Sequence, residues 1–332
     1  MAAKSVGNAS LRVVSLLPSA AEIICLVAPH NVLVGRSHED DFPKSITDRP
    51  ILTAAKTTFT TSEDVNRQVS ESLSTGLSLY ELDADGLSKL KPDVVVTQDL
   101  CDVCSIDLIT VERIARKMNP VPNVITLNPQ NLQDVLANIT EIGNALGFEE
   151  KAKSVKSSLE ERVQIVRERG SKIVEERGNR VKVGFVEWIA PIFIGGHWTP
   201  QMIHDAGGIH PLNLPKDQDD GAGKSFAIED QKFIDLQADV VIVAPCGLDI
   251  ETTERELNLI VDKSKETDAP SWVTEYLKRG TNIAVVDGNQ MFNRPGPRLV
   301  DAMEFLVGFI NDQYDSIPSD FPWKLYSSPN LA

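Results

Sequence analysis

The most reactive spacing in this sequence is Cys101-x-x-Cys104, two thiols that as thiolates would hold a soft metal or exchange a disulfide. A third thiol, Cys246, follows a later Val-rich run, and His38 opens the polar turn His38-Glu39-Asp40-Asp41. Three thiolates and one imidazole suit zinc or iron, whereas small cysteines also serve simply as buried packing residues. His38 beside carboxylates suits cation binding or proton transfer; the same residues also make a solvated acidic turn before Pro43. A thioredoxin-like reading finds only one supporting feature, a helical segment from Ile106 to Lys117.

Trp188 and Trp198 offer large apolar faces with a polar edge, fit to stack on a planar ring or to sit in a core. Asn293-Arg-Pro-Gly-Pro-Arg298 reads as a rigid turn that starts a helix and presents Arg294, a disposition suited to a carboxylate or phosphate or to a plain surface ion pair. Gly221-Ala-Gly-Lys-Ser225 imitates the end of a phosphate loop. It fails that test because Gln218 stands where the first glycine is required and no strand precedes it. Neither a Gly-x-Ser-x-Gly elbow nor a dinucleotide fingerprint occurs.

Something must line these residues up, and the alternation of short β-branched runs with amphipathic stretches supplies it. Val13–Leu17, Val32–Gly35 and Asp93–Thr97 read as strands of a first half; Val181–Val186, Asp239–Ala244 and Asn282–Val286 read as strands of a second. Strands spaced by helices predict parallel sheets. The two halves share a phrase: Leu87-Ser-Lys-Leu-Lys-Pro-Asp-Val-Val-Val96 is echoed by Phe233-Ile-Asp-Leu-Gln-Ala-Asp-Val-Val-Ile242, which predicts two related lobes. Between them, Leu146 to Arg177 carries Ala152, Val155, Leu159, Val163 and Val166 at steps of three and four, the pattern of one long helix, or of a hairpin broken at Gly170. Gly296 to Ile310 reads as a last helix, and the aromatic, Pro-rich stretch from Asp315 onward as a surface strap or frayed end.

In open parallel sheets, ligands lie beyond the carboxyl ends of the strands. The residues that follow each predicted strand are therefore the candidates. They are Pro18, Ser19 and Glu22; Arg36, Ser37, His38, Glu39 and Asp40; Gln98, Asp99, Cys101 and Cys104; Glu187 and Trp188; His197 and Trp198; Cys246 and Asp249; and Asn289, Arg294 and Arg298.

A formal net charge of -15 disfavours nucleic acid and anionic membrane as partners, because the field of the whole molecule repels polyphosphate. An acidic small ligand would need a local basic pocket. No apolar run is long enough to span a membrane, and four cysteines are too few for a disulfide scaffold. With a polar start lacking a leader-like apolar stretch, these features set a cytoplasmic expectation.

Arg12-Val-Val-Ser-Leu-Leu-Pro-Ser-Ala-Ala-Glu-Ile23, Val34-Gly-Arg-Ser37 and Leu90-Lys-Pro-Asp-Val-Val-Val96, together with the long central helix, resemble the vitamin B12 and ferric-siderophore class of periplasmic binding proteins over roughly Arg12 to Ile310. Gly35-Arg-Ser-His-Glu-Asp-Asp-Phe-Pro43, Gln98-Asp-Leu-Cys-Asp-Val-Cys104, Pro245-Cys-Gly247 and Phe292-Asn-Arg-Pro-Gly-Pro-Arg298 are similar to motifs of its cobalamin-binding subgroup. The resemblance implies an α/β fold of two Rossmann-like parallel-sheet lobes bridged by one long helix, with a bulky ligand held in the cleft and delivered to an ABC transporter.

The expected division is an N-terminal lobe over 1–145, a linker helix over 146–178, a C-terminal lobe over 179–312 and a tail over 313–332. The expected function is non-catalytic binding of cobalamin, another corrinoid or an iron chelate by a monomer. The ligand contacts are assigned to Ser19, Glu22, Arg36, His38, Glu39, Asp99, Glu187, Trp188, Trp198, Asn289, Arg294 and Arg298. A zinc or iron site is assigned to Cys101, Cys104, Cys246 and His38. The alternative is an enzyme on the same scaffold that uses those thiols and His38. Without an export signal in the sequence as read, docking to a permease is not expected.

Overall fold

The structure, a computed structural model, describes residues 11–75, 78–99, 108–216, 223–267 and 269–328. The chain divides into two compact units. Unit 1 comprises Met1–Thr58, Val69–Asn128 and Ala137–Ser157, and unit 2 comprises Phe59–Gln68, Pro129–Leu136 and Ser158–Ala332.

The first half of the chain runs β1 (Val13–Ser15), α1 (Pro18–Val27), β2 (Leu33–Gly35), β3 (Thr53–Ala55), α2 (Ser62–Ser74), β4 (Tyr80–Leu82), α3 (Ala84–Leu90), β5 (Val94–Gln98), α4 (Leu108–Ala115), β6 (Asn123–Leu127) and α5 (Leu132–Leu146). Its main sheet has the order β2-β1-β5-β6, all parallel. Every residue of β5 is buried, as expected of a central parallel strand covered on both faces. Val14, Leu16, Leu52, Leu87, Val95 and Val111 form the core around it.

The long helix α6 (Glu149–Arg177) follows, shared between the two units and unbroken at Gly170. Gly170 has a different task, since a Cβ placed there would stand 2.2 Å from the Asp205 carbonyl oxygen. The helix and the turn at Asp205–Gly207 approach backbone to backbone, and Arg167 Nε donates to Asp205 Oδ2 at 2.8 Å beside them. Alanine in a helix interior ordinarily gains about 1 kcal/mol over glycine. Here overpacking of about 1–3 kcal/mol opposes it. Gly170→Ala is therefore expected to lower the denaturation midpoint; a raised midpoint would show that the contact yields.

Unit 2 continues with β7 (Val181–Trp188), β8 (Ile192–Ile194), α7 (Thr199–Asp205), β9 (Gly208–Ile209), β10 (Phe226–Ile228), α8 (Asp230–Asp235), β11 (Val240–Val243), α9 (Ile250–Thr267), α10 (Trp272–Lys278), β12 (Asn282–Val286), α11 (Leu299–Ile310) and β13 (Trp323–Leu325). The sheet order is β10-β8-β7-β11-β12-β13, with β9 beside the start of β7. β7, β11 and β12 are parallel, as the sequence predicts, while β8, β10 and β13 join antiparallel. The aromatic tail is thus an edge strand of this sheet. Phe233, Trp272 and Tyr276 pack edge to face at 5.4 and 5.5 Å, and the Tyr276 hydroxyl donates to the Phe233 carbonyl at 2.7 Å.

The shared phrase has a structural counterpart. Asp93 N donates to the Arg12 carbonyl at 2.8 Å and Asp93 Oδ2 accepts from Arg12 N at 2.9 Å. Asp239 makes the same pair of bonds with Lys182, at 2.8 and 2.7 Å. Each aspartate ties the start of a central strand to the start of its neighbour, and each follows a residue of positive φ that ends the helix, Lys91 at 45° and Gln237 at 48°. The echo is therefore one αβ junction used twice.

Candidate functional site

The carboxyl ends of β1, β2 and β5 form one edge of unit 1's sheet. Ser19 is buried in the first turn of α1, and Glu22 is buried one turn later. Arg36 is also buried, because its guanidinium donates to the carbonyls of Ser37, Asp40 and Thr47 at 3.1, 3.1 and 2.9 Å. Asp40 Oδ2 accepts from Ser37 N at 2.7 Å, so the acidic turn is closed on itself by a buried carboxylate and a buried guanidinium. His38 is half-buried; its N–H and its ring Nδ1 meet Thr53 Oγ1 at 3.0 and 2.7 Å, and its ring leans on Tyr80 at 5.7 Å. The Glu39 carboxylate lies 4.0 Å from His38 Nε2, and Asp99 is exposed just after β5.

Five buried side-chain atoms of this edge, Ser19 Oγ, Arg36 Nε, Ser37 Oγ, Thr97 Oγ1 and Gln98 Oε1, have no hydrogen-bond partner among the described residues. An unsatisfied buried polar atom costs about 1–3 kcal/mol. Thr97 is a residue that the strand-end reading missed: it lies within β5, where alternation hides its hydroxyl among valines.

In unit 2 the corresponding edge is built by β7, β11 and β12. Glu187 and Trp188 end β7; the Glu187 carbonyl accepts from Cys246 N at 3.0 Å, which sets the exposed Cys246 beside them. Trp188 is half-buried with its indole N–H donating to the Ser62 carbonyl at 3.1 Å. Trp198 is a core residue, its indole N–H donating to the Phe292 carbonyl at 2.7 Å. His197 stacks on it at 5.5 Å with the rings 30° apart. The chain after β12 is bolted down by Asn293, whose amide donates to the carbonyls of Ala244 and Gly288 at 2.9 and 2.8 Å. Gly288 is obligatory there, since a Cβ would stand 2.1 Å from the Pro245 oxygen. On this frame Arg294, buried, donates to Asn289 Oδ1 at 3.2 Å, and Arg298 donates to Gln290 Oε1 at 2.9 Å. Burial pushes the Asp287 carboxyl up, against hydrogen bonds from Gln290 and the nearby Arg294 charge.

The structure thus gathers Ser19, Arg36, His38 and Asp99 on one sheet edge, and Glu187, Trp188, Trp198, Cys246, Asn289, Arg294 and Arg298 on another. Glu22, Arg36, Trp198 and Arg294 are buried. Lys224, beside His197, adds a cation that the sequence reading did not assign.

Of the proposed metal ligands, Cys101 and Cys104 lie outside the described residues, as do Gly221 and Ala222 of the phosphate-loop imitation. Cys246 and His38 belong to different units. Among the described residues no group of three or more His, Cys, Asp or Glu side chains is placed to hold a metal ion, and no helix is long and apolar enough to cross a membrane.

No family model and no curated protein matches the sequence. Solved structures do. A periplasmic heme-binding protein from Pseudomonas aeruginosa is similar with a TM-score of 0.64 at 18% identity, over 96% of this chain and 95% of that one. The periplasmic heme-binding protein RhuT from Roseiflexus has a TM-score of 0.63 at 20% identity, over 93% and 100%. The periplasmic vitamin B12-binding protein BtuF of Vibrio cholerae has a TM-score of 0.60 at 14% identity, over 91% and 97%.

These neighbours contradict the cytoplasmic expectation, for they are periplasmic binding proteins. The expectation rested on the polar beginning of the sequence, and where a sequence begins does not record where its protein works. Over more than nine-tenths of its length, this chain has the fold of the class III periplasmic binding proteins.

Proposed function

We propose that this protein is a periplasmic, non-catalytic binding protein for a bulky chelate of a transition metal, a corrinoid or a haem-like macrocycle. The observation that carries the reading is the whole-length likeness of its fold to proteins named for binding heme and vitamin B12. Contacts are assigned to the carboxyl edges of the two sheets: Ser19, His38, Glu39 and Asp99 in unit 1, and Glu187, Trp188, Asn289 and Arg298 in unit 2. Lys224, Arg294 and Arg298 supply locally the positive charge that an acidic ligand needs in a chain of net charge -15.

Calorimetric and absorption titrations with aquocobalamin, diaquacobinamide, hemin and a panel of ferric chelates test this reading. One of them is expected to form a one-to-one complex with Kd of about 1 μM or tighter, near -8 kcal/mol. Trp188→Ala is expected to weaken that complex about tenfold, or about 1.4 kcal/mol, by removing a flat apolar contact. Absence of heat and of any spectral change across the panel overturns the reading.

A further inference from the structure

We propose that Glu256 is a positioning residue of unit 2's binding edge: by fixing Ser62 it holds the indole of Trp188 in place, a role that rests on the binding function proposed above.

Trp188 stands half-buried at the carboxyl end of β7, where the pairing with β8 slips, because Val186 faces Ile194 and Trp188 faces Phe193, only one residue on. An extra residue of this kind bends a strand and re-aims the side chain beside it. A regular ladder does not set the direction of this indole. Its single polar group, the Nε1–H, donates to the Ser62 carbonyl at 3.1 Å, so the edge of the ring follows wherever Ser62 is placed.

Ser62 is placed from 194 residues away. Glu256 Oε2 accepts from Ser62 N at 2.7 Å and from Ser62 Oγ at 2.9 Å, with both residues buried. Glu256 rides on α9, whose Leu257 and Val261 are sunk in the core of unit 2 with Trp272 and Tyr276, which gives the carboxylate a fixed mount. On the chain leading to Ser62, the Arg255 guanidinium lies over the Phe59 ring at 5.6 Å.

Helix α2 has its own local cap in Thr61, whose carbonyl accepts from Val65 N at 3.0 Å and whose hydroxyl accepts from Asp64 N at 3.2 Å. Glu256 reaches a different amide. A buried carboxylate is costly to desolvate, and an apolar side chain would fill the same space at lower cost. What the carboxylate adds is a two-bond grip on one serine, the serine whose carbonyl carries Trp188.

A double-mutant cycle on the full-length chain, read by equilibrium titration with hemin and with aquocobalamin, tests this role. With Trp188 present, Glu256→Leu is expected to weaken binding about fivefold; in the Trp188→Phe background, which has no N–H to hold, it is expected to leave affinity unchanged. Glu256→Gln keeps the acceptor and is expected to bind as wild type does. Ser62→Ala, which removes the hydroxyl bond and keeps the amide and the carbonyl, is expected to weaken binding about threefold, again only with Trp188 present. It carries the cycle if circular dichroism shows that Glu256→Leu does not fold. Equal losses in the two backgrounds, as a merely structural role would give, or no loss in either, overturn the positioning role and leave the binding function standing. Failure of wild type to bind either probe overturns the binding function, and this role with it.

Discussion

Glu256→Ala is expected to destabilise the protein by about 3 kcal/mol, although Glu256 belongs to none of the candidate ligand contacts. Glu256 in α9 is buried, and its Oε2 accepts from Ser62 N at 2.7 Å and from Ser62 Oγ at 2.9 Å. Ser62 is the first residue of α2 and is itself fully buried. A carboxylate at that point satisfies one of the amide groups that a helix start leaves without a partner and faces the positive end of the helix dipole. Hydrogen bonds to a charged group contribute about 1.5–3 kcal/mol, and removing the acceptor leaves two buried donors unsatisfied.

The same serine receives the Trp188 indole N–H, and Arg255 lies over Phe59 at 5.6 Å. The segment Phe59–Gln68, which the chain of unit 1 contributes to unit 2, is therefore latched at three points. Denaturant unfolding measures the loss. Glu256→Gln, which keeps an acceptor, should recover more than half of it, and hydrogen exchange should locate the opening at the start of α2. A Glu256→Ala midpoint within 0.5 kcal/mol of wild type, about the size of an ordinary surface substitution, would sink the latch.

The second large effect is expected in acid. His210 is fully buried; its Nδ1–H donates to the Val183 carbonyl at 2.9 Å, and Nε2 has no partner among the described residues. Burial lowers its pKa from 6.5 to about 4, against a smaller opposing effect of the Val183 hydrogen bond. Above pH 6.5 the ring is neutral in both folded and unfolded chains and stability is unaffected. As pH falls from 6.5 towards 4 the unfolded chain takes up a proton that the folded one refuses, so stability is lost across that window. A shift of this size corresponds to roughly 3 kcal/mol.

Asp230, Asp287 and Asp301, whose carboxyls burial pushes up, act in the opposite sense, because folding favours their protonated forms. A comparison with a variant removes them from the reckoning. His210→Asn keeps a donor for Val183 and cannot titrate there. Unfolding free energies measured from pH 7.5 to 4.5 should fall more steeply in wild type than in His210→Asn; parallel curves would refute the assignment.

Much of the architecture was readable because it is written in local periodicity. Val-rich runs bounded by helix breakers specify β5 and β11, and the apolar steps from Ala152 to Val166 specify α6, through forces that act within a few residues. The repeated aspartate was legible for the same reason: Asp93 and Asp239 do one local job, at the start of a strand that must pair with the strand before it. The strand-end rule also listed most residues of both sheet edges, since it needs only the direction of the strands.

The roles of those residues were not legible, because burial is set by what the rest of the chain brings up against them. Trp188 and Trp198 looked alike in sequence; Phe292, nearly a hundred positions away, makes one a core residue, and Ser62 ties down the indole edge of the other. No pattern pairs Ser62 with Glu256 across 194 residues, or makes the Pro-rich tail the antiparallel neighbour of β12. The close approach of Gly196 to the segment at Gly223 to Ser225, next to the left-handed His197, is likewise a long-range contact. Sequence by itself determined the strands, the long helix and the residues that end up on the two sheet edges. Tertiary structure alone decided which of those side chains are held inside and which are left facing outward, because that depends on long-range contacts that no local pattern encodes.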